Sequence, residues 1–158
     1  MERISEVIIN ELDNRYMKKI AIFSFIILVG FSCKKAAVNN ADFLKVKWVL
    51  SDIQDTKTNA ITKYPNDAFS KISIEFTDSL NLILFNGICN YGTGTYTYSS
   101  STGAIQISDI VDTKIACKYD EWEGYTRQNL YTASNYNING NNLVIYSNGV
   151  YNLYFNKN

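Results

Sequence analysis

The sequence contains no histidine among its 158 residues, and this absence removes two kinds of site at once. Histidine is the commonest metal ligand and the commonest general base, so any catalysis would depend on Asp, Glu, Lys, Tyr or Cys. A cysteine nucleophile would also lack its usual histidine base. Net charge is absent as well, since 15 basic residues balance 15 acidic ones. The chain therefore has no excess of positive charge of the kind that attracts nucleic acid.

Proline is nearly absent, occurring once at Pro65, whereas tyrosine occurs 12 times and Asn, Ser and Thr are plentiful. This mixture favours strands joined by tight turns over helical bundles. With 46% hydrophobic residues, the chain can bury one core but hardly two, which predicts one domain.

The first third of the sequence carries the pattern of an export signal. Met17 is followed by Lys18 and Lys19, then by apolar and small residues 20–32, and then by Cys33. The apolar run is too short for a membrane span, which needs about 20 residues. Cysteine directly after Val-Gly-Phe-Ser resembles the bacterial lipoprotein signal, in which cleavage exposes a cysteine that carries lipid. The open alternatives are an ordinary secreted protein and a buried hydrophobic helix.

These features divide the chain into four segments. Residues 1–16 precede the basic start and are interpreted as a start-site annotation error, with Met17 as initiator. Residues 17–32 are the signal peptide, 33–42 a lipidated tether that includes Lys34 and Lys35, and 43–158 the folded domain. No acidic residue stands beside Cys33, which favours the outer membrane, facing the periplasm.

Alternating apolar residues predict short half-buried strands throughout the domain. The predicted strands cover residues 45–53, 71–76, 80–85, 94–98, 104–110, 135–138, 143–147 and 150–155. The residues expected to point inward include Trp48, Phe76, Leu82 and Leu84, and Thr77-Asp78-Ser79 is predicted to form the turn between strands 71–76 and 80–85. Asn148-Gly149 predicts a tight hairpin turn whose two central residues have positive φ.

One helix is predicted from Glu121 to Ala133, capped by Asp120, with Glu123 three residues on. Trp122, Tyr125, Leu130 and Ala133 are expected to share its buried face. Seven or eight short antiparallel strands with this helix predict a mainly β fold, a small closed or nearly closed barrel.

Two segments resemble the META, or HslJ-like, family of small bacterial envelope domains. Residues 86–96, NGICNYGTGTY, are similar to the family's Gly-Cys-Asn and following turn, and residues 112–117, DTKIAC, to its Thr-Arg-Met-Ala-Cys. Ile88 and Lys114 depart from the usual Gly and Arg. The resemblance covers residues 43–156 and implies a lipocalin-like barrel with one helix, often lipid-anchored and linked to envelope stress or antibiotic tolerance. It supplies no catalytic residues.

With Cys33 assigned to lipid, Cys89 and Cys117 remain, an even number in an oxidising compartment. A disulfide between them is predicted, and two buried free thiols are the alternative. A metal site is not expected, because histidine is absent and neither cysteine belongs to a Cys-x-x-Cys pair.

Other polar and aromatic residues have both a functional and a purely structural interpretation. Asp120, Glu121 and Glu123 could form a catalytic carboxylate pair, but at a helix start they more simply complement the helix dipole. Within the family-like segments, Asn90, Thr113 and Lys114 are interpreted as partners of backbone groups at turns, with a binding surface as the alternative. The strand tyrosines Tyr96, Tyr98, Tyr146, Tyr151 and Tyr154 could dock a carbohydrate or protein, but aromatics are ordinary strand residues.

The sequence therefore predicts a non-enzymatic, lipid-anchored envelope protein without cofactor or metal, acting as a binding or stability module. Its expected partner is the membrane, through the lipid on Cys33, together with an unidentified envelope protein or small ligand. A monomer is expected. The alternatives are a small-ligand carrier of lipocalin type, which needs a hollow barrel, and a hydrolase that uses carboxylates.

Overall fold

Nine antiparallel strands and one helix make up the domain in the computed structural model, which describes residues 44–68 and 70–158. The strands are β1 (Lys47–Asp55), β2 (Ile61–Lys63), β3 (Ser73–Phe76), β4 (Leu82–Asn86), β5 (Tyr91–Ser99), β6 (Ala104–Asp112), β7 (Ala133–Asn139), β8 (Asn142–Ser147) and β9 (Tyr151–Lys157). The helix α1 (Asp120–Tyr131) lies between β6 and β7 in the chain. The predicted export signal and tether, including Cys33, lie outside the described residues.

The sheet closes on itself. From β3 to β9 each strand pairs with the next along the chain, and β1 pairs with both β3 and β9. Eight strands thus form a closed barrel, and β2 adds a short flap beside the second half of β1. The weakest seam joins β6 to β7 through a single residue pair, Ala104 with Asn135, where α1 is inserted. Closure confirms the predicted barrel with one helix, and the sequence missed only β2.

Apolar side chains fill the interior, because alternation along each strand sends every second residue inward. The buried apolar residues are Trp48, Leu50, Ile53, Tyr64, Ile72, Ile74, Phe76, Ile83, Phe85, Tyr96, Ile105, Ile107, Ile110, Trp122, Leu130, Tyr136, Leu143, Ile145, Leu153 and Phe155. Inward positions predicted for Trp48 and Phe76 are confirmed, each with no exposed surface. Leu82 and Leu84 were assigned wrongly, since they are only partly buried and Ile83 and Phe85 point inward instead.

The turn between β3 and β4 explains that error. Leu80 and Asn81 both adopt positive φ, 59° and 50°, so they form the centre of the turn and the strand begins only at Leu82. Leu80 is consequently 82% exposed. Leu80 therefore lies outside the strand, and the face inferred from Leu80, Leu82 and Leu84 is the wrong one, since Ile83 and Phe85 are the buried residues.

The hairpin predicted at Asn148-Gly149 is confirmed, since β8 and β9 pair on either side of it, but its turn is not of the predicted type. Neither residue has positive φ. The backbone N–H of Asn148 instead donates to the Thr132 carbonyl oxygen at 2.9 Å, and that of Gly149 donates to the Ser147 hydroxyl at 2.8 Å. Contacts with the end of α1 therefore determine this loop, and the dipeptide preference does not.

The helix α1 begins one residue before the predicted start and ends at Tyr131. Its N-cap is Tyr119, in the left-handed region at φ 70°, and no side chain caps the first turn, so the predicted Asp120 cap is wrong. The buried face also differs from prediction. Tyr125 is 37% exposed and Ala133 belongs to β7, whereas the buried residues of α1 are Trp122, Glu123, Thr126, Asn129 and Leu130.

The barrel has two distinguishable ends. At the first, which we call the N-terminal end, Leu44 joins the barrel beside Phe76, and the β3–β4, β5–β6 and β7–β8 turns lie around it. At the opposite end, which we call the motif end, lie loops 87–90 and 113–119 and the helix α1. Within the described residues, none of the helices has the length and hydrophobicity needed to span a bilayer.

Candidate functional site

A buried carboxylate joins loop 87–90 to the helix at the motif end. Glu123 is only 2% exposed, and its Oε1 accepts hydrogen bonds from the backbone N–H of Cys89 at 2.7 Å and of Asn90 at 3.3 Å. Its Oε2 accepts a third hydrogen bond, at 2.6 Å, from Asn90 Nδ2. The tight loop needs glycine at Gly87, since an added Cβ would lie 2.5 Å from Glu123 Cδ and Oε1. The dipole role predicted for Glu123 therefore gives way to that of a tertiary anchor.

Asn90 connects the two family-like segments. Its Oδ1 accepts from the Ile115 backbone N–H at 2.7 Å and from the Thr113 hydroxyl at 3.0 Å. Its Nδ2 also donates to the Ile115 carbonyl oxygen at 2.9 Å. The Thr113 hydroxyl in turn accepts from the Tyr91 backbone N–H at 3.2 Å. The prediction that Asn90 and Thr113 satisfy backbone groups is confirmed.

A disulfide between Cys89 and Cys117 links the same two segments covalently. The Cα atoms are 6.6 Å apart, and both cysteines are partly buried. This pair is the one that the sequence predicted. Together with Glu123 and Asn90, the bridge fixes the loop before β5, the segment after β6 and the helix α1 to one another.

A cleft of about 300 Å³ opens beside this network. It is lined by Asn90, Thr113, Lys114, Ile115, Ala116, Asp120, Glu123 and Arg127. Two cationic and two anionic side chains thus surround one small opening. Arg127 is bound to Asp112 of β6, whose side chain is only 6% exposed, so this guanidinium is held by α1 and β6 together.

The charged residues predicted as site candidates have different environments at the motif end. Lys114 is exposed and contributes only to the cleft wall. Asp120 and Glu121 are exposed, in contrast with Glu123, so the three predicted carboxylates do not form one cluster of equivalent groups. The two that do line the cleft, Asp120 and Glu123, differ in environment, since the Glu123 oxygens are already engaged by three N–H donors.

The strand tyrosines differ in exposure, which fits their interpretation as ordinary strand residues better than the alternative of a docking surface. Tyr96 is inside the barrel, 2% exposed, and its hydroxyl donates to the Thr77 carbonyl oxygen at 2.7 Å. Tyr146 is 38% exposed, and the others are partly buried. An exposed apolar group lies elsewhere, on β5, β6 and the following loop, where Tyr91, Val111 and Ile115 are between 59% and 73% exposed.

Sequence reasoning missed two contributors, Glu123 as a buried anchor and Arg127. One available signal was their helical spacing with Asp120, because residues 120, 123 and 127 fall on one face of a helix. The buried face was instead predicted from the apolar residues of the helix, which lie on another side. A helix whose apolar stripe is short can bury polar groups if a facing loop supplies hydrogen bonds.

The domain resembles solved structures in its fold. It is similar to a protein from Burkholderia xenovorans solved by NMR, with 16% identity, a TM-score of 0.63 and coverage of 82% of this chain and 94% of that one. A DUF4847 family protein from Bacteroides vulgatus ATCC 8482 is similar with 14% identity and a TM-score of 0.59, over 73% of this chain and 94% of that one. No curated protein matches the chain.

The sequence match is more specific than these structural likenesses. A family model described as the META domain matches residues 41–158, which include the whole barrel, both cysteines of the disulfide and the helix that carries Glu123. The chain therefore belongs to the META domain family.

Proposed function

We propose that this protein is a non-enzymatic binding module of the bacterial envelope, anchored to a membrane by lipid on Cys33. The observation that carries the proposal is the Cys89–Cys117 disulfide, since such bonds persist in exported proteins and are rare in the cytosol. It supports export independently of the signal pattern at residues 17–32. Cys33 is then the first residue of the mature chain and of the tether 33–42.

The barrel interior argues against a carrier of lipocalin type. Aromatic and branched side chains, among them Trp48, Phe76 and Phe155, fill it with almost no exposed surface. A ligand inside would have to displace a packed core, at a cost of several kcal/mol. The binding surface of the proposed module is therefore on the outside of the barrel.

The motif end is the surface that we propose for binding. The described chain enters the barrel at Leu44, beside Phe76, so we place the proposed tether on the side of the N-terminal end. The exposed Leu80 lies at that same end. The motif end, with its charged cleft, is on the opposite side and is accessible to partners in the periplasm. A catalytic role is disfavoured because Glu123 is engaged by three N–H donors and the chain has no histidine base.

Metabolic labelling with an alkyne analogue of palmitate tests the anchor. We expect label on the wild-type protein and its recovery with membranes of outer-membrane density. Cys33→Ser should lose both, whereas the control Ser32→Ala, which keeps a small residue before the cleavage point, should retain them. Soluble wild-type protein without label would overturn the proposal. The link to envelope stress or antibiotic tolerance stays a prediction.

A further inference from the structure

The motif end brings three potential metal ligands together. The sulfur atoms of Cys89 and Cys117 and a carboxylate oxygen of Glu123 all lie within 4.8 Å of one another. We propose that, when the disulfide is reduced, the two thiolates and this carboxylate bind one thiophilic divalent cation, Zn²⁺ being the physiological candidate. The disulfide form then holds the site closed, because both sulfur atoms are bonded to each other.

Glu123 has the environment of an oriented metal ligand. Its two oxygens accept three hydrogen bonds from N–H groups, and a carboxylate has about four acceptor positions. Among the ion pairs of residues 44–68 and 70–158, none involves Glu123. Buried carboxylates are normally paired with a cation or bound to a metal. Hydrogen bonds that fix a ligating carboxylate are the usual outer shell of a metal site.

The positions of the two cysteines also suit a metal. Their Cα atoms are 6.6 Å apart, near the wide limit of about 6.8 Å for disulfides. Two thiolates on a tetrahedral zinc, at about 2.3 Å each, stand about 3.8 Å apart. The sulfurs can move to that separation by side-chain rotation once their bond is broken. The cleft of about 300 Å³ lies beside Glu123 and leaves the fourth position for water or a small exogenous ligand.

A dithiol reductant can supply the electrons and protons that reduce the Cys89–Cys117 disulfide. A thiolate of the reductant attacks one sulfur of the Cys89–Cys117 bond and its second thiol resolves the mixed disulfide. Two electrons and two protons reach the protein, and the reductant becomes a disulfide. Binding of the cation then releases both thiol protons. Partial exposure of Cys89 and Cys117 gives the reductant access.

The test uses the full chain carrying Cys33→Ser, so that only Cys89 and Cys117 can be thiols. The protein is reduced with a phosphine, which is removed under nitrogen, and is titrated with Cd²⁺ and Zn²⁺. We expect one Cd²⁺ per reduced chain, detected by thiolate-to-metal charge-transfer absorption, and none per oxidised chain. Zn²⁺ should displace the Cd²⁺ signal and protect both thiols from alkylation.

Glu123→Gln removes a charged ligand and should weaken Cd²⁺ affinity by about 10-fold or more, since even outer-shell partners contribute about 10- to 100-fold. The matched control is Glu121→Gln, an exposed acidic residue of the same helix, which should bind as the parent does. Equal affinity in the folded Glu123→Gln and parent proteins, or binding by the oxidised chain, would overturn the proposal, as would failure of the reduced chain to bind. If Glu123→Gln has no melting transition and is therefore unfolded, ¹¹³Cd NMR of the parent protein identifies the ligand atoms instead. A shift typical of mixed sulfur and oxygen ligands supports the site, and an all-oxygen shift rejects it.

Discussion

At the scale of single residues, the motif end depends on how closely Glu123 approaches the loop before β5. Its carboxylate accepts two backbone N–H groups of that loop and one side-chain N–H, so it cannot move without losing three hydrogen bonds. Gly87 is buried against the same carboxylate. In this chain Gly87 thus leaves room for the Glu123 carboxylate, and Asn90 binds it.

Gly87→Ala should lower the free energy of unfolding by about 1 to 3 kcal/mol, because its Cβ would overlap a carboxylate that is held in place. The matched control is Gly124→Ala, one residue after Glu123 in α1, where an added Cβ meets nothing within 4 Å. This control should raise stability by about 0.5 to 1 kcal/mol, the usual gain on removing glycine from a helix. Urea denaturation of the two variants measures both values. A neutral Gly87→Ala would contradict the contact.

Buried tyrosines make stability depend on alkaline pH. Burial raises the pKa of Tyr64 and of Tyr96 to about 12, from an ordinary 10.0. The folded chain therefore keeps protons that the unfolded chain loses above pH 10, so their contribution is complete below about pH 10 and is lost as the pH rises to about 12. Urea midpoints should fall across this window. Tyr64→Phe, which cannot ionise, should show a shallower fall, and an identical slope would count against the explanation.

At the scale of elements, the sequence predicted the strands, whose residues alternate between two faces. It missed the turn conformations and the burial that depends on contacts between elements. Period two placed Trp48 and Phe76 inside correctly. It failed in β4 because Leu80 and Asn81 adopt the left-handed region, which an alternating pattern does not reveal. The position of the helix was predicted to within about two residues, although its predicted Asp120 cap is wrong. Its buried polar face was missed, because the groups that satisfy Glu123 come from a loop 33 residues away.

At the motif end, too, some features were predictable from the sequence and others were not. The pairing of Cys89 with Cys117 was predictable from cysteine count and from the two family-like segments, since no other pair remains after Cys33. The hydrogen bonds of Asn90 to Ile115 were predictable only in kind, as side chain to backbone. The cleft was not predictable, because it arises where α1 crosses the end of the closed barrel.

The disulfide should be the largest single contribution to holding α1 and the adjoining loops on the barrel. It closes a loop with a sequence separation of 28, for which the chain-entropy treatment gives about 3 to 4 kcal/mol. Cys89→Ala combined with Cys117→Ala should lose about that amount in urea denaturation. Cys33→Ser alone should leave the stability of the barrel unchanged. A loss under about 1 kcal/mol for the double variant would show that the non-covalent network suffices.

At the scale of the whole molecule, the described chain enters the barrel at the N-terminal end, and the binding surface that we propose is the motif end opposite it. A filled barrel keeps the two ends apart as a rigid spacer, since its eight strands close on one another around a packed core. The weak seam between β6 and β7 lies where α1 is inserted, and the disulfide and the Arg127–Asp112 pair tie the adjoining segments together. A packed barrel of this kind suits the surface recognition that we propose for the protein.

The central claim is that the protein is exported, acylated and oxidised, and intact mass spectrometry of the protein extracted from its native membrane tests it most directly. The account predicts a chain beginning at Cys33, heavier than its sequence by a lipid, that takes up no alkylating reagent until it is reduced and then takes up two equivalents. A chain that begins at Met1 or Met17, has no added lipid mass and alkylates at all three cysteines without reduction would contradict the account.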